Sequence, residues 1–157
     1  MVPLVAVVVI VLAVLSAYAP AFGQSPAGAG TDPAVAELGK DFVSRVEPLS
    51  DVRLHYVRGG DGPAVVLVHG FPQDWYAFHA VIPRLAQKFT VIAVDLPGVG
   101  RSSAGLARYD SASIAERLLQ LIRKLRLGRV YIAGHDNGGM VAYTFGRLYP
   151  DDTRGVM

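Results

Sequence analysis

Residues 129–150 read "RVYIAGHDNGGMVAYTFGRLYP". The first five form a short apolar run of strand character, and the last eleven have helix character until Pro150 stops them. Between them, "GHDNGG" at 134–139 must turn a strand sharply into a helix. Glycine tolerates the positive φ and the close backbone approach that such a turn needs. The residue at the apex carries a carboxylate, Asp136.

Working outward, further strands are expected at Phe42 to Glu47, Val52 to Arg58, Ala64 to Val68 and Thr90 to Val94, with Val130 to Ala133 leading into the turn. "AVVLV" at 64–68 is apolar at every position, which suits a strand covered on both faces, and "GGDG" at 59–62 supplies the turn before it. From Ser111 to Leu125 the residues Ile114, Leu118, Leu121, Ile122 and Leu125 fall on one helical face, opposite Glu116, Arg117, Gln120, Arg123 and Lys124. A second helix is predicted from Trp75 to Ala86 and a third from Gly138 to Tyr149. Alternating strands and helices predict an α/β fold with a mostly parallel sheet and flanking helices.

Composition narrows the partners. The chain has 157 residues, 52% of them hydrophobic, which is enough for one domain with a core and too apolar for disorder. Fifteen basic against thirteen acidic side chains leave a net charge of only +2, scattered along the sequence, so no nucleic acid partner is expected. The absence of cysteine removes disulfides, a thiol nucleophile, Cys-ligated zinc and a lipoprotein anchor.

The beginning of the chain speaks to location. Residues 2–19 carry no charge, and Ala21-Phe22-Gly23 before Gln24 has the small-residue pattern of a signal-peptidase site. Residues 1–23 are therefore expected to be a signal peptide for export to the periplasm or medium; the alternative is an uncleaved membrane anchor, since the run reaches spanning length. Residues 24–41, rich in Ala, Gly, Pro and Ser, are expected to be a flexible leader to a domain over 42–157.

Three motifs fall at the carboxyl ends of predicted strands: "HGFP" at 69–72, "DLPGVGRS" at 95–102 and "GHDNG" at 134–138. That edge of a parallel sheet is where ligands bind. With these motifs in this order, the chain from Phe42 to Met157 resembles the α/β-hydrolase family. "HGFPQDWYAF" and "GHDNGGMVAY" are most similar to the N-terminal half of epoxide hydrolases, which place aspartate where serine hydrolases of this fold place serine on the nucleophile elbow. The resemblance implies that Asp136 attacks an epoxide carbon to form a covalent ester, with the backbone N–H groups of Phe71 and Asn137 as oxyanion hole. It implies substrate contacts from Phe71 and Trp75, a small-molecule substrate, and no metal or organic cofactor. His69, Gly70, Pro72, Asp95, Gly134 and Gly138 are expected to shape the loops, Asp95 by holding residues 96–102 through backbone hydrogen bonds.

The chemistry is coherent on its own terms. A carboxylate that attacks saturated carbon forms an ester, whose carbonyl water can later attack, whereas serine would leave a stable ether. Epoxides and alkyl halides are therefore the expected substrates. The plainer reading of an Asp before a helix is an N-cap. A dehalogenase uses the same nucleophile, but haloalkane enzymes carry tryptophan next to it and haloacetate enzymes carry arginines nearby, where this chain has Asn137 and Met140. A third reading is a truncated exported protein without catalysis.

None of the four histidines is expected to be the catalytic base. His69 and His135 are read as structural, His55 and His79 as partly buried or surface residues, and no pair has metal-ligand spacing with a third ligand nearby. "GVGRSS" at 98–103 lacks the third glycine of a dinucleotide loop and is no cofactor site. By the resemblance, the lid tyrosines, acid partner and catalytic histidine belong to a region beyond "RGVM", where a further strand begins. The 157 residues are thus expected to be truncated before the lid and C-terminal strands, and to form the ester without completing turnover.

Overall fold

The computed structural model describes residues 32–157. The proposed signal segment and residues 24–31 of the leader lie outside the described residues. Six strands form one sheet: β1 Val43–Pro48, β2 Arg53–Gly59, β3 Ala64–Val68, β4 Thr90–Val94, β5 Val130–Gly134 and β6 Thr153–Val156, in the order β1-β2-β4-β3-β5-β6. The β1–β2 and β2–β4 pairs are antiparallel, and β4, β3, β5 and β6 run parallel. Three α-helices complete the frame: α1 Ile82–Leu85, α2 Ser111–Lys124 and α3 Asn137–Leu148.

Strands β3 and β4 are buried at every position because both faces of the sheet are covered. Side chains alternate between two cores. Val66, Val68, Ile92 and Val94 pack with Leu118, Leu121 and Ile122 of α2 and with Val141 and Phe145 of α3. Val65, Leu67, Val91 and Ala93 pack on the other side with Trp75 and Ile82. A period-two strand with apolar residues on both faces leaves no polar side of the sheet.

Two elements differ from the sequence reading. The helix expected from Trp75 to Ala86 is broken into a 3₁₀ turn, Trp75–Phe78, and the short α1. Pro83 lacks an amide donor, so it is accepted in the first turn of α1 but cannot continue a helix from upstream. Part of the expected flexible leader is packed: Pro33–Leu38 forms a 3₁₀ helix capped by Asp32, and Val35 and Leu38 are buried against the second core. Two apolar side chains at three-residue spacing suffice to seat that short turn, despite its Ala-rich surroundings. Residues 153–156 are strand β6, paired in parallel with β5, where a further strand is expected to begin at "RGVM". Among the described residues no helix is long and apolar enough to cross a membrane.

Candidate active site

The register sets Val68 of β3 beside Gly134 of β5, so the loops that follow these neighbouring parallel strands emerge side by side. One carries His69 to Pro72, with a cis peptide between Phe71 and Pro72; the other carries His135 and Asp136 into α3. Asp136 adopts φ 53° and ψ −128°, a conformation sparsely populated by non-glycine residues. The turn holds it there through close backbone contacts. A Cβ on Gly138 would lie 2.1 Å from the Val68 carbonyl oxygen, and one on Gly134 would lie 2.3 Å from that of Gly138. The helix therefore starts directly against the ends of β3 and β5. Gly70 is equally confined, since its Cβ would meet the Asp136 side chain at 2.7 Å.

The Asp136 side chain does not cap α3. Instead the backbone N–H of Phe71 donates to its Oδ2 at 2.8 Å. That bond, with a smaller contribution from the Asn137 amide, holds the carboxyl below its ordinary pKa against a slight desolvation effect. The group is ionised, exposed and at the start of a helix, whose dipole favours the charge. Phe71, one of the two proposed oxyanion donors, thus hydrogen-bonds the carboxylate of Asp136, and the neighbouring Asn137 amide adds to the lowering of its pKa. Phe71 also presents its ring to solvent, 73% exposed, beside it.

Trp75 is elsewhere, contrary to the substrate contact expected of it. It is 2% exposed within the second core, and its indole N–H donates to Asp32 Oδ2 at 2.9 Å. A large ring with one donor is buried favourably when that donor is satisfied, and Asp32, far away in sequence, satisfies it. His55 is likewise fully buried rather than partly so. Its Nδ1 lies 2.8 Å from Asp95 Oδ2 and its Nε2 2.8 Å from Ser44 Oγ. Asp95 also accepts from the amides of Trp75 and Arg101, each at 2.9 Å, so its carboxylate anchors both the 3₁₀ turn after β3 and the loop after β4.

Two details escaped the sequence. His69 is buried, with Nδ1 2.9 Å from the Gly70 carbonyl oxygen and Nε2 accepting from Leu96 N at 2.9 Å. Gln73 bonds the ring of His135, which stacks edge-on against Phe78. The only available signal was a histidine next to glycine at a strand end, which does not reveal partners contributed by other strands. Among the described residues, no cluster of His, Asp or Glu is placed to hold a metal ion.

A family model described as the alpha/beta hydrolase fold matches residues 63–157. The soluble epoxide hydrolase of Corynebacterium sp. (strain C12) is 43% identical over 97 residues, covering 62% of this chain and 34% of that protein. The fluoroacetate dehalogenase of Burkholderia sp. is 36% identical over 115 residues, covering 70% of this chain and 38% of that protein. The crystal structure of Cfl2 from Burkholderia cenocepacia superposes with a TM-score of 0.73 at 38% identity, covering 82% of this chain and 44% of the other. The chain therefore spans less than half the length of each of these relatives.

Proposed function

The chain belongs to the alpha/beta hydrolase fold family, and from that premise we propose that Asp136 is the nucleophile of an epoxide hydrolase-like reaction. The observation that carries this reading is the strained, exposed, ionised carboxylate of Asp136, which spends its hydrogen bonding on the Phe71 amide rather than on capping α3. With Oδ2 engaged by Phe71, Oδ1 is the attacking oxygen. It forms a bond to an epoxide carbon while the carbon–oxygen bond of the ring breaks, and the released alkoxide takes a proton from solvent or an acid. Oδ2 becomes the ester carbonyl oxygen, already seated on the Phe71 N–H. Water added to that carbonyl would place negative charge on Oδ2, where the Phe71 and Asn137 amides stabilise it; collapse releases the diol and restores the carboxylate.

That second step needs a base. Among the described residues, His55 and His69 use both ring nitrogens in buried bonds, His135 bonds Gln73, and His79 bonds the Tyr76 carbonyl oxygen. The 157 residues alone are therefore proposed to capture the electrophile and hold it as the ester. Sustained conversion of styrene oxide to its diol by this chain would overturn that.

The dehalogenase relative keeps a second reading alive, in which the same carboxylate displaces halide. Asn137 and the exposed Met140, standing where haloalkane enzymes carry a tryptophan next to the nucleophile and haloacetate enzymes carry arginines nearby, favour the epoxide. Exposure of the chain to styrene oxide and, separately, to fluoroacetate discriminates the two: the expected result is a mass gain of one epoxide and no fluoride release, and the reverse pattern favours the dehalogenase.

The depressed pKa has a definite sign. Charge on Asp136 is retained as pH falls past the ordinary carboxylate value of 3.8 and is lost only through its lower folded-state value. Initial rates of adduct formation should accordingly stay level from neutral pH down to that value and decline below it. A midpoint above 3.8 would contradict the hydrogen bonding described.

Residues 1–23 are proposed to direct export and to be removed. The mature N-terminus is then Gln24, and a chain isolated from membranes with Met1 in place would favour the anchor instead.

A further inference from the structure

We infer that His69 is a positioning residue that aims and polarises the Phe71 amide toward Asp136. The inference rests on the reading of Asp136 as nucleophile, and its geometry is contained in one peptide plane. The Gly70 carbonyl and the Phe71 N–H belong to the same peptide group, so whatever binds the oxygen orients the N–H. That oxygen accepts from the His69 ring at 2.9 Å and from the Gln73 amide at 2.9 Å, while the N–H on the other side donates to Asp136 Oδ2 at 2.8 Å.

The proton arrangement on His69 follows from its partners. The Leu96 backbone N–H can only donate, so Nε2 must accept. The Gly70 carbonyl can only accept, so Nδ1 must carry the hydrogen. Leu96 follows β4 and His69 follows β3, so the ring is clamped between two strand ends and is 1% exposed. A donor at the carbonyl end of a peptide also strengthens the N–H at the other end as a donor, because bonds in a chain polarise one another. The hydrogen bonds of the His69 ring go to Gly70 and Leu96 and not to Asp136, so it acts through the peptide.

Among the described residues, the groups that act on the Asp136 carboxylate are the Phe71 amide from the β3 loop, the Asn137 amide of α3 and His135 of its own turn. Of these, the Phe71 amide has the largest influence, and it is the one His69 controls. Two substitutions separate the two bonds of the ring. In His69→Asn the side-chain amide nitrogen occupies the place of Nδ1 and keeps a donor to Gly70. In His69→Gln the side chain reaches the place of Nε2, keeping an acceptor for Leu96 while leaving the Gly70 carbonyl without its side-chain donor.

The test is the carboxyl carbon shift of Asp136 followed by NMR through a pH titration of the full chain and both variants. The expected result is a midpoint that moves up toward the ordinary carboxylate value in His69→Gln and stays in place in His69→Asn. A role in stability alone would lower the melting temperature of either variant without separating their midpoints, and equal midpoints in folded samples would overturn the inference. Should the variants not fold, the ring nitrogen shifts of His69 in the unsubstituted chain decide: the Nδ1–H form supports the inference and the Nε2–H form overturns it. Epoxide labelling of the same unsubstituted sample reports on the nucleophile reading separately. Failure to label sinks that reading while leaving the titration interpretable.

Discussion

Replacing Gly138 by alanine should prevent the chain from folding, or destabilise it by at least about 3 kcal/mol, because the added methyl has nowhere to go. The Cβ position is 2.1 Å from the Val68 carbonyl oxygen and 2.5 Å from that of His69. These are backbone atoms at the end of the central strand β3, and they cannot rotate away as a flexible side chain would. Relief would require α3 to lift from the sheet, taking with it Val141 and Phe145, which are buried in the larger core. The matching control is Gly139→Ala, whose Cβ would come no closer than 3.4 Å to its nearest neighbour. Chemical denaturation of the two variants checks the contrast, and a Gly138→Ala chain as stable as Gly139→Ala would mean that α3 is not seated on β3 as described.

Asp136→Asn should abolish covalent capture of an epoxide altogether while leaving the fold intact. Asparagine tolerates the positive φ at this turn better than most residues, and its side-chain oxygen can still accept from the Phe71 amide. What is lost is the charge and the nucleophilic oxygen, without which there is no bond to carbon. Intact mass after incubation with styrene oxide is the readout, with circular dichroism to confirm folding. Residual adduct in the variant at the level of the unsubstituted chain would assign the reaction to another side chain.

The fold was legible where local pattern and tertiary fate coincide. Strands β3 and β4 have the residue bounds expected because uninterrupted apolar runs, bounded by turn residues, have no alternative to burial on both faces. Helix α2 ends within a residue of its expected limit because its apolar stripe and its Asp110 cap are both local. The break between Phe78 and Ile82 has a local cause as well, since Pro83 in the first turn of α1 cannot continue a helix from upstream. Packing of Val35 and Leu38 was not readable, since a short Ala-rich segment gains its order from a core assembled by residues far along the chain.

The site divides in the same way. Asp136, Phe71 and the glycines around them were visible as motifs, because a strained strand-to-helix turn restricts residue type at each position. Trp75 and His55 were misplaced because their partners, Asp32 for one and Ser44 and Asp95 for the other, come from different elements. No spacing rule along the chain reveals hydrogen bonds between residues 11, 40 and 43 positions apart. The role inferred for His69 is hidden for the same reason, since it depends on Leu96 and on the orientation of a single peptide plane.

The most direct measurement is peptide mapping by mass spectrometry of the 157-residue chain after exposure to styrene oxide. The expected result is a single adduct on the peptide containing Asp136, linked as an ester and released by mild base. An unmodified chain, or an adduct confined to a histidine or another carboxylate, would contradict the assignment of Asp136 as the nucleophile.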